Sequence, residues 1–167
     1  MTDVRGSIEG AVRFLTEHPE EARYTDSPAT AVLGDDLRVE VRGSGGERLV
    51  TDMPSGIGGL GEEPSPGWLL RAATASCVAT TIAMQAAREG VSLTSLEVVV
   101  DGESDDRGIL GMDETVPAGP LSTRIRVSAG AEGPEDRLRG VVERGTGRCP
   151  VYDATRRAVE VSLEIEV

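Results

Sequence analysis

The reactive side chains of this 167-residue chain are few: two cysteines, one histidine, and arginine as its only strongly basic residue type. Cys77 stands in the middle of a long apolar stretch, and Cys149 directly precedes Pro150. Only a thiolate is a strong nucleophile. A helix N-terminus or a nearby cation lowers a thiol's pKa, and apolar burial raises it. Cys149 has the first advantage, because Cys-Pro reads as the cap and first residue of a short helix. Cys77 lies roughly three turns into its own helix and needs an arginine beside it. Arginine suits that task as a fixed donor that does not deprotonate. Such a set fits peroxide reduction: the thiolate attacks the distal peroxide oxygen, an arginine holds the developing alkoxide charge, and the sulfenic acid condenses with a second thiol. The competing reading of Cys77 is an inert small hydrophobe in an apolar helix.

Other chemistries are poorly supported. His18, beside Pro19 and acidic neighbours, reads as a surface residue, and no second histidine exists to pair with a cysteine. Two cysteines and one distant histidine do not close a zinc site, so neither metal nor cofactor is expected. Gly56–Gly61 lacks the preceding apolar run and the lysine of a phosphate-binding loop. No serine-centred nucleophile elbow is present.

The element that must carry Cys77 is a helix over 64–90. Ser65 caps it, Pro66 suits its first position and Gly90 its stop. Between Trp68 and Ala87 its only charge is Arg71, and no face is clearly polar. A helix apolar nearly all round is buried in a core or against a partner chain. It is too diluted by Ala, Thr, Ser and Gln to span a membrane. Before it, 6–17 reads as a short helix within an N-terminal appendage, 1–28. Strands are expected over 29–33, 37–42 and 47–53, followed by a flexible Pro- and Gly-rich loop that ends at Glu62 and Glu63. After it come strands over 95–101 and 121–129, a short strand near 109–112 within a hairpin, a helix over 134–145, and a strictly alternating strand over 158–167. That order indicates an α+β fold with helices packed on antiparallel sheet.

The net charge is −12, and all 17 basic residues are arginine. Such a chain repels nucleic acid and anionic lipid. The acidity suits a GC-rich genome's soluble protein or the salt-rich cytoplasm of a halophile. With no N-terminal apolar segment and only two cysteines, a cytoplasmic, thiol-reducing setting is expected.

Two motifs carry a family resemblance. Pro64-Ser-Pro-Gly-Trp-Leu-Leu-Arg-Ala-Ala-Thr-Ala-Ser-Cys77 resembles the first cysteine segment of the OsmC/Ohr family, and Arg144-Gly-Thr-Gly-Arg-Cys-Pro-Val151 resembles its second, a helix running into Cys-Pro. The strand Leu96–Asp101 with Asp105-Asp106-Arg107-Gly108 is also typical, and the match spans 29–167. The resemblance implies an intertwined homodimer in which antiparallel sheets wrap two long central helices packed back to back. It implies thiol-dependent reduction of organic hydroperoxides, with Cys77 peroxidatic, Cys149 resolving, and an intracellular thiol reductant recycling them. Two positions depart from the pattern. The family's first-turn Glu, ten residues before the reactive cysteine, is Gly67 here, so Glu63 or Glu62 would substitute from the loop. The arginine expected between the first two strands meets Leu33-Gly-Asp-Asp-Leu-Arg38, so Arg38 comes a few residues late and Arg71 is the other candidate. These departures indicate a divergent subgroup. A second class of function stays open: a non-enzymatic dimer that binds a small apolar or electrophilic ligand near Trp68 and Met84, its cysteines structural or redox-sensing.

Overall fold

The computed structural model describes residues 3–167, so the first two residues of the expected 1–28 appendage lie outside the described residues. The elements run α1 (Val4–Glu17), β1 (Ala29–Leu33), β2 (Val39–Gly43), β3 (Arg48–Thr51), α2 (Pro66–Glu89), β4 (Leu93–Glu103), α3 (Asp106–Ile109), β5 (Ser122–Ala131), α4 (Glu135–Gly147) and α5 (Pro150–Arg156). Every strand pairing is antiparallel, in a three-stranded sheet β1-β2-β3 and a two-stranded sheet β4-β5. The chain divides into two compact units, Gly10–Ala72 and Met1–Glu9 with Ala73–Val167. Helix α2 starts in the former and continues into the latter. Among the described residues no helix is long and apolar enough to cross a membrane.

In the first unit the β1–β2 hairpin pairs Leu33 with Val39. The turn closes through Gly34 N–H donating to the Arg38 carbonyl at 2.8 Å, and Asp36 adopts the left-handed region at φ 56°. Alternation predicts a strand from Leu37, but the strand opens at Val39. Arg38 is therefore the last residue of the turn, not an inner strand position.

In the second unit α2 carries the core. Ser65 Oγ accepts from the Trp68 N–H at 3.2 Å, and Gly90 ends the helix at φ 63°, where a Cβ would be strained. Val78 and Ile82 are fully buried, and Leu93, Leu96 and Val98 of β4 and Ile125 and Val127 of β5 pack on them. Burying each such side chain is worth about 1.5–3 kcal/mol. A second cluster joins Ala86, Val91 and Val141. Within one chain, however, the helix buries a single stripe, Thr74, Val78, Ile82, Gln85 and Ala86. Ala73, Ser76, Thr80, Ala83 and Met84 are exposed. Among the described residues these positions stay open, so the expected all-round burial is met on one stripe only.

Two predicted strands are absent. In place of the strand near 109–112 stands α3, because Asp105 caps it: its carboxylate accepts from the Arg107 N–H at 3.0 Å. Arg107 in turn grips the same carboxylate, holding it down to about 2. Residues 158–167 form no strand and lie exposed, with Val161 and Leu163 each 83% accessible. Period-two alternation specifies two faces, but a strand also needs a partner to bond to, and this segment pairs with neither sheet.

Candidate functional site

The helix α5 begins as its sequence implies. Cys149 is the N-cap: its Sγ accepts from the Tyr152 N–H at 3.4 Å, and its carbonyl accepts from the Asp153 N–H at 2.9 Å. Cys149 is fully buried, in contact with Val78 and Ile82, while Cys77 is partly exposed and packs on that same cluster. Both thiols are free. Two cysteines 72 positions apart in sequence thus come together on one face of α2.

The electrostatics correct one expectation. A helix N-terminus alone lowers the Cys149 thiol, but burial pushes it up, and the N–H groups of Tyr152 and Val151 do not offset that. Cys77 adds to the rise, through a thiol hydrogen bond that keeps the Cys149 proton in place and through repulsion between the two charged forms. Burial and the neighbouring Cys77 thus favour the protonated form of Cys149.

The arginine candidates separate. Arg38 Nη2 donates to Glu63 at 2.8 Å and Nη1 to Glu62 at 3.2 Å. The two loop carboxylates and the turn arginine, each nominated separately by sequence, are therefore one ion-paired group within the first unit. Arg71 does not lean toward Cys77. Its Nη1 lies back over the helix start, 3.9 Å from where a Cβ on Gly67 would stand, as helix side chains point toward the N-terminus.

Asp52 went unrecognised in the sequence. It is 1% exposed, and its carboxylate accepts from the N–H groups of Met53 at 2.7 Å, Leu60 at 3.1 Å and Glu62 at 3.2 Å. Burial pushes the Asp52 carboxyl up, but the N–H groups of Glu62, Met53, Leu60 and Gly61 more than reverse it and hold it below the ordinary carboxylate range. The loop folds back so tightly that a Cβ on Gly59 would fall 1.8 Å from the Met53 carbonyl oxygen. The loop expected to be flexible is thus wound around a buried anion, which fixes the backbone that presents Glu62 and Glu63. The available signal was an aspartate followed within a few residues by Gly58, Gly59 and Gly61, the residues that let several N–H groups converge. His18 stays exposed, bonded to the Phe14 carbonyl at 3.1 Å and stacked on the Phe14 ring. Among the described residues no cluster of His, Cys, Asp and Glu could hold a metal ion.

A family model described as OsmC-like protein matches residues 59–164, and the chain belongs to that family. No curated protein matches it by sequence. Solved structures share its fold at low identity. An OsmC like protein from Mycoplasma pneumoniae aligns at TM-score 0.68 and 16% identity, covering 81% of this chain and 91% of that one. An organic hydroperoxide resistance protein OsmC from Legionella pneumophila aligns at 0.59 and 20%, covering 80% and 91%. An organic hydroperoxide resistance protein from Elizabethkingia anophelis aligns at 0.58 and 18%, covering 83% and 93%.

Proposed function

We propose that this chain is a thiol-dependent reductant of organic hydroperoxides, acting in oxidative stress defence. The observation that carries the reading is the asymmetric thiol pair. One sulfur is partly exposed and the other is fully buried, proton-bearing and against it. The accessible Cys77 thiolate attacks the distal oxygen of ROOH and forms Cys77–SOH; the O–O bond breaks and the departing alkoxide takes a proton to leave as ROH. The Cys149 thiol then condenses with the sulfenic acid, forming the S–S bond and releasing water. An intracellular dithiol reduces the disulfide and is itself oxidised. The cation proposed for the alkoxide is Arg38 or Arg71, on the family pattern alone.

The working unit in this reading is a homodimer. The exposed face of α2, with Ala73, Ala83 and Met84, and the apolar face of the alternating tail, with Val159, Val161, Leu163 and Ile165, are surfaces that a second copy would cover. No membrane or nucleic acid is involved, and the setting is cytoplasmic.

The test is consumption of cumene hydroperoxide with excess dithiothreitol present. The wild type is expected to turn over and Cys77→Ser to be inactive. Cys149→Ser is expected to oxidise once and then accumulate higher oxidation states of Cys77. No peroxide loss by the wild type, or an unchanged rate in Cys77→Ser, rejects the proposal and leaves the ligand-binding dimer as the standing alternative.

A further inference from the structure

Gln85 is a polar side chain in the buried stripe of α2, only 5% exposed. A buried amide is costly unless both its ends are bonded. Both are. Its Oε1 accepts from Arg148 Nη1, and its Nε2 donates to Glu89 Oε1. Glu89 is gripped by Arg144 through Nε at 2.8 Å and Nη2 at 2.7 Å, and its carbonyl at the end of α2 accepts from Arg137 Nη2 at 2.5 Å. This chain of bonds ties Arg137 and Arg144 of α4 and its C-cap Arg148 to the helix of Cys77, and Arg148 is the immediate neighbour of Cys149.

The connection is short enough to transmit. Arg148 is the C-cap of α4 and Cys149 the N-cap of α5, with no residue between them. Fixing the Arg148 side chain on α2 therefore fixes the backbone that carries Cys149. Closing a disulfide demands Cβ atoms about 3.8 Å apart and a dihedral near 90°. Misplacing reacting atoms by about 1 Å can cost about 100-fold in rate. A slow closure also has a chemical consequence, because a sulfenic acid that waits meets a second peroxide and goes on to sulfinic acid.

We propose that Gln85 and Arg148, backed by Glu89 and Arg144, form a clamp that positions Cys149 for disulfide closure with Cys77. They are positioning residues, and none of them touches the peroxide. The proposal rests on Cys149 being the resolving thiol, but its test does not need peroxidase activity.

Diamide supplies the oxidant directly. It forms an adduct on the accessible Cys77, Cys149 displaces it, and the products are the disulfide and the reduced hydrazine. The rate of closure is followed by quenching with an alkylating reagent and weighing the intact protein. Arg148→Met and Gln85→Met are each expected to slow closure by about tenfold or more. The double variant should be no slower than either single one, because the two act through one bond. Arg148→Lys, which keeps a donor, should recover part of the rate. With cumene hydroperoxide, the same variants should show a larger sulfinic fraction at Cys77 per turnover than the wild type.

Closure within twofold of the wild type in either Met variant, or strictly multiplicative effects in the double variant, overturns the clamp. Thermal unfolding of each variant is recorded alongside. If Arg148→Met does not fold, the Gln85→Met and Arg148→Lys rates decide the matter. A wild type inert to hydroperoxide but sensitive to these substitutions with diamide would reject the proposed function and leave the clamp standing.

Discussion

Two glycines at the end of α4 give opposite expectations for the same substitution. A Cβ on Gly145 would fall 2.6 Å from Ile82 Cα and 3.0 Å from both its N and Cγ1. Carbon atoms settle at about 3.5–4.0 Å, and the clashing atoms are mostly backbone of α2, which cannot rotate away. The helices must separate by about 1 Å. Alanine gains about 1 kcal/mol over glycine from helix propensity, while overpacking a core costs about 1–3 kcal/mol. A clash against backbone sits at the upper end, so Gly145→Ala is expected to destabilise by about 2 kcal/mol net. For a chain of this size that lowers Tm by about 4–8 °C. Gly147, by contrast, has nothing within 4 Å of its would-be Cβ, so Gly147→Ala should stabilise by about 0.5–1 kcal/mol. The assay is thermal unfolding by circular dichroism at one protein concentration. The diamide closure rate should fall in Gly145→Ala, since Cys149 lies four residues beyond the displaced backbone, and hold in Gly147→Ala. If Gly145→Ala is as stable as Gly147→Ala, the backbone-to-backbone approach of α2 and α4 is wrong, and with it the reason Cys149 meets Cys77.

Three further outcomes follow from single groups. Hydrogen bonds from Arg144 and Gln85 hold Glu89 down to about 2 from an ordinary 4.5. A depressed folded-state pKa gives stability that is present above the unfolded value and lost as pH falls through the folded one. Urea midpoints of the wild type and Glu89→Gln should therefore differ most at pH 5 and converge toward pH 2; a constant difference would refute the pairing. Asp52→Asn replaces one of two acceptor oxygens with a donor that faces N–H groups among the three from Met53, Leu60 and Glu62. Amide exchange across 53–62 should rise by about tenfold or more, while β4 and β5 stay protected; unchanged exchange would mean the loop is held by something else. If the proposed homodimer forms, removing residues 158–167 should shift the protein toward monomer in light scattering at fixed concentration, and an unchanged mass would exclude the tail from its interface.

The parts legible in the sequence are those where one local rule decides. The limits of α2 follow from Ser65, Pro66 and Gly90. The existence and inward faces of β4 and β5 follow from alternation, and the structure then sets Val98 opposite Val127 and Val100 opposite Ile125. The cap at Cys149 follows from Cys-Pro. The misreadings arose where two rules compete or a partner is missing. Ile109, Leu110 and Met112 looked like a strand, but Asp105 offered the backbone a helix cap first. The tail alternates correctly but pairs with none of the strands of its own chain. Cys149 caps α5 as Cys-Pro implies, yet its thiol is raised where the helix end alone would lower it, since a helix end is visible in sequence and full burial is not. Gln85 and Arg148, 63 positions apart, left only the weak trace of one long polar side chain in an apolar stripe.

The missing glutamate at Gly67 can be understood from the same geometry. In the family pattern a helix residue would serve the turn arginine. Here Arg38 already holds two carboxylates, both from the loop before the helix. A helix side chain is placed by the helix, whereas a loop side chain is placed only if the loop is. The buried Asp52 meets that need, with Gly59 allowing the chain to pass where any Cβ would collide. Transferring the carboxylate from helix to loop therefore makes the order of the arginine depend on the charge of Asp52. If Arg38 serves the proposed peroxide reduction, Asp52→Asn and Glu63→Gln should weaken turnover, and Gly67→Glu should not replace them, because Arg71 stands four residues on and is the nearer partner. If Gly67→Glu in a Glu63→Gln background restored full activity, the loop would have no special role and the helix position would still be the one that matters.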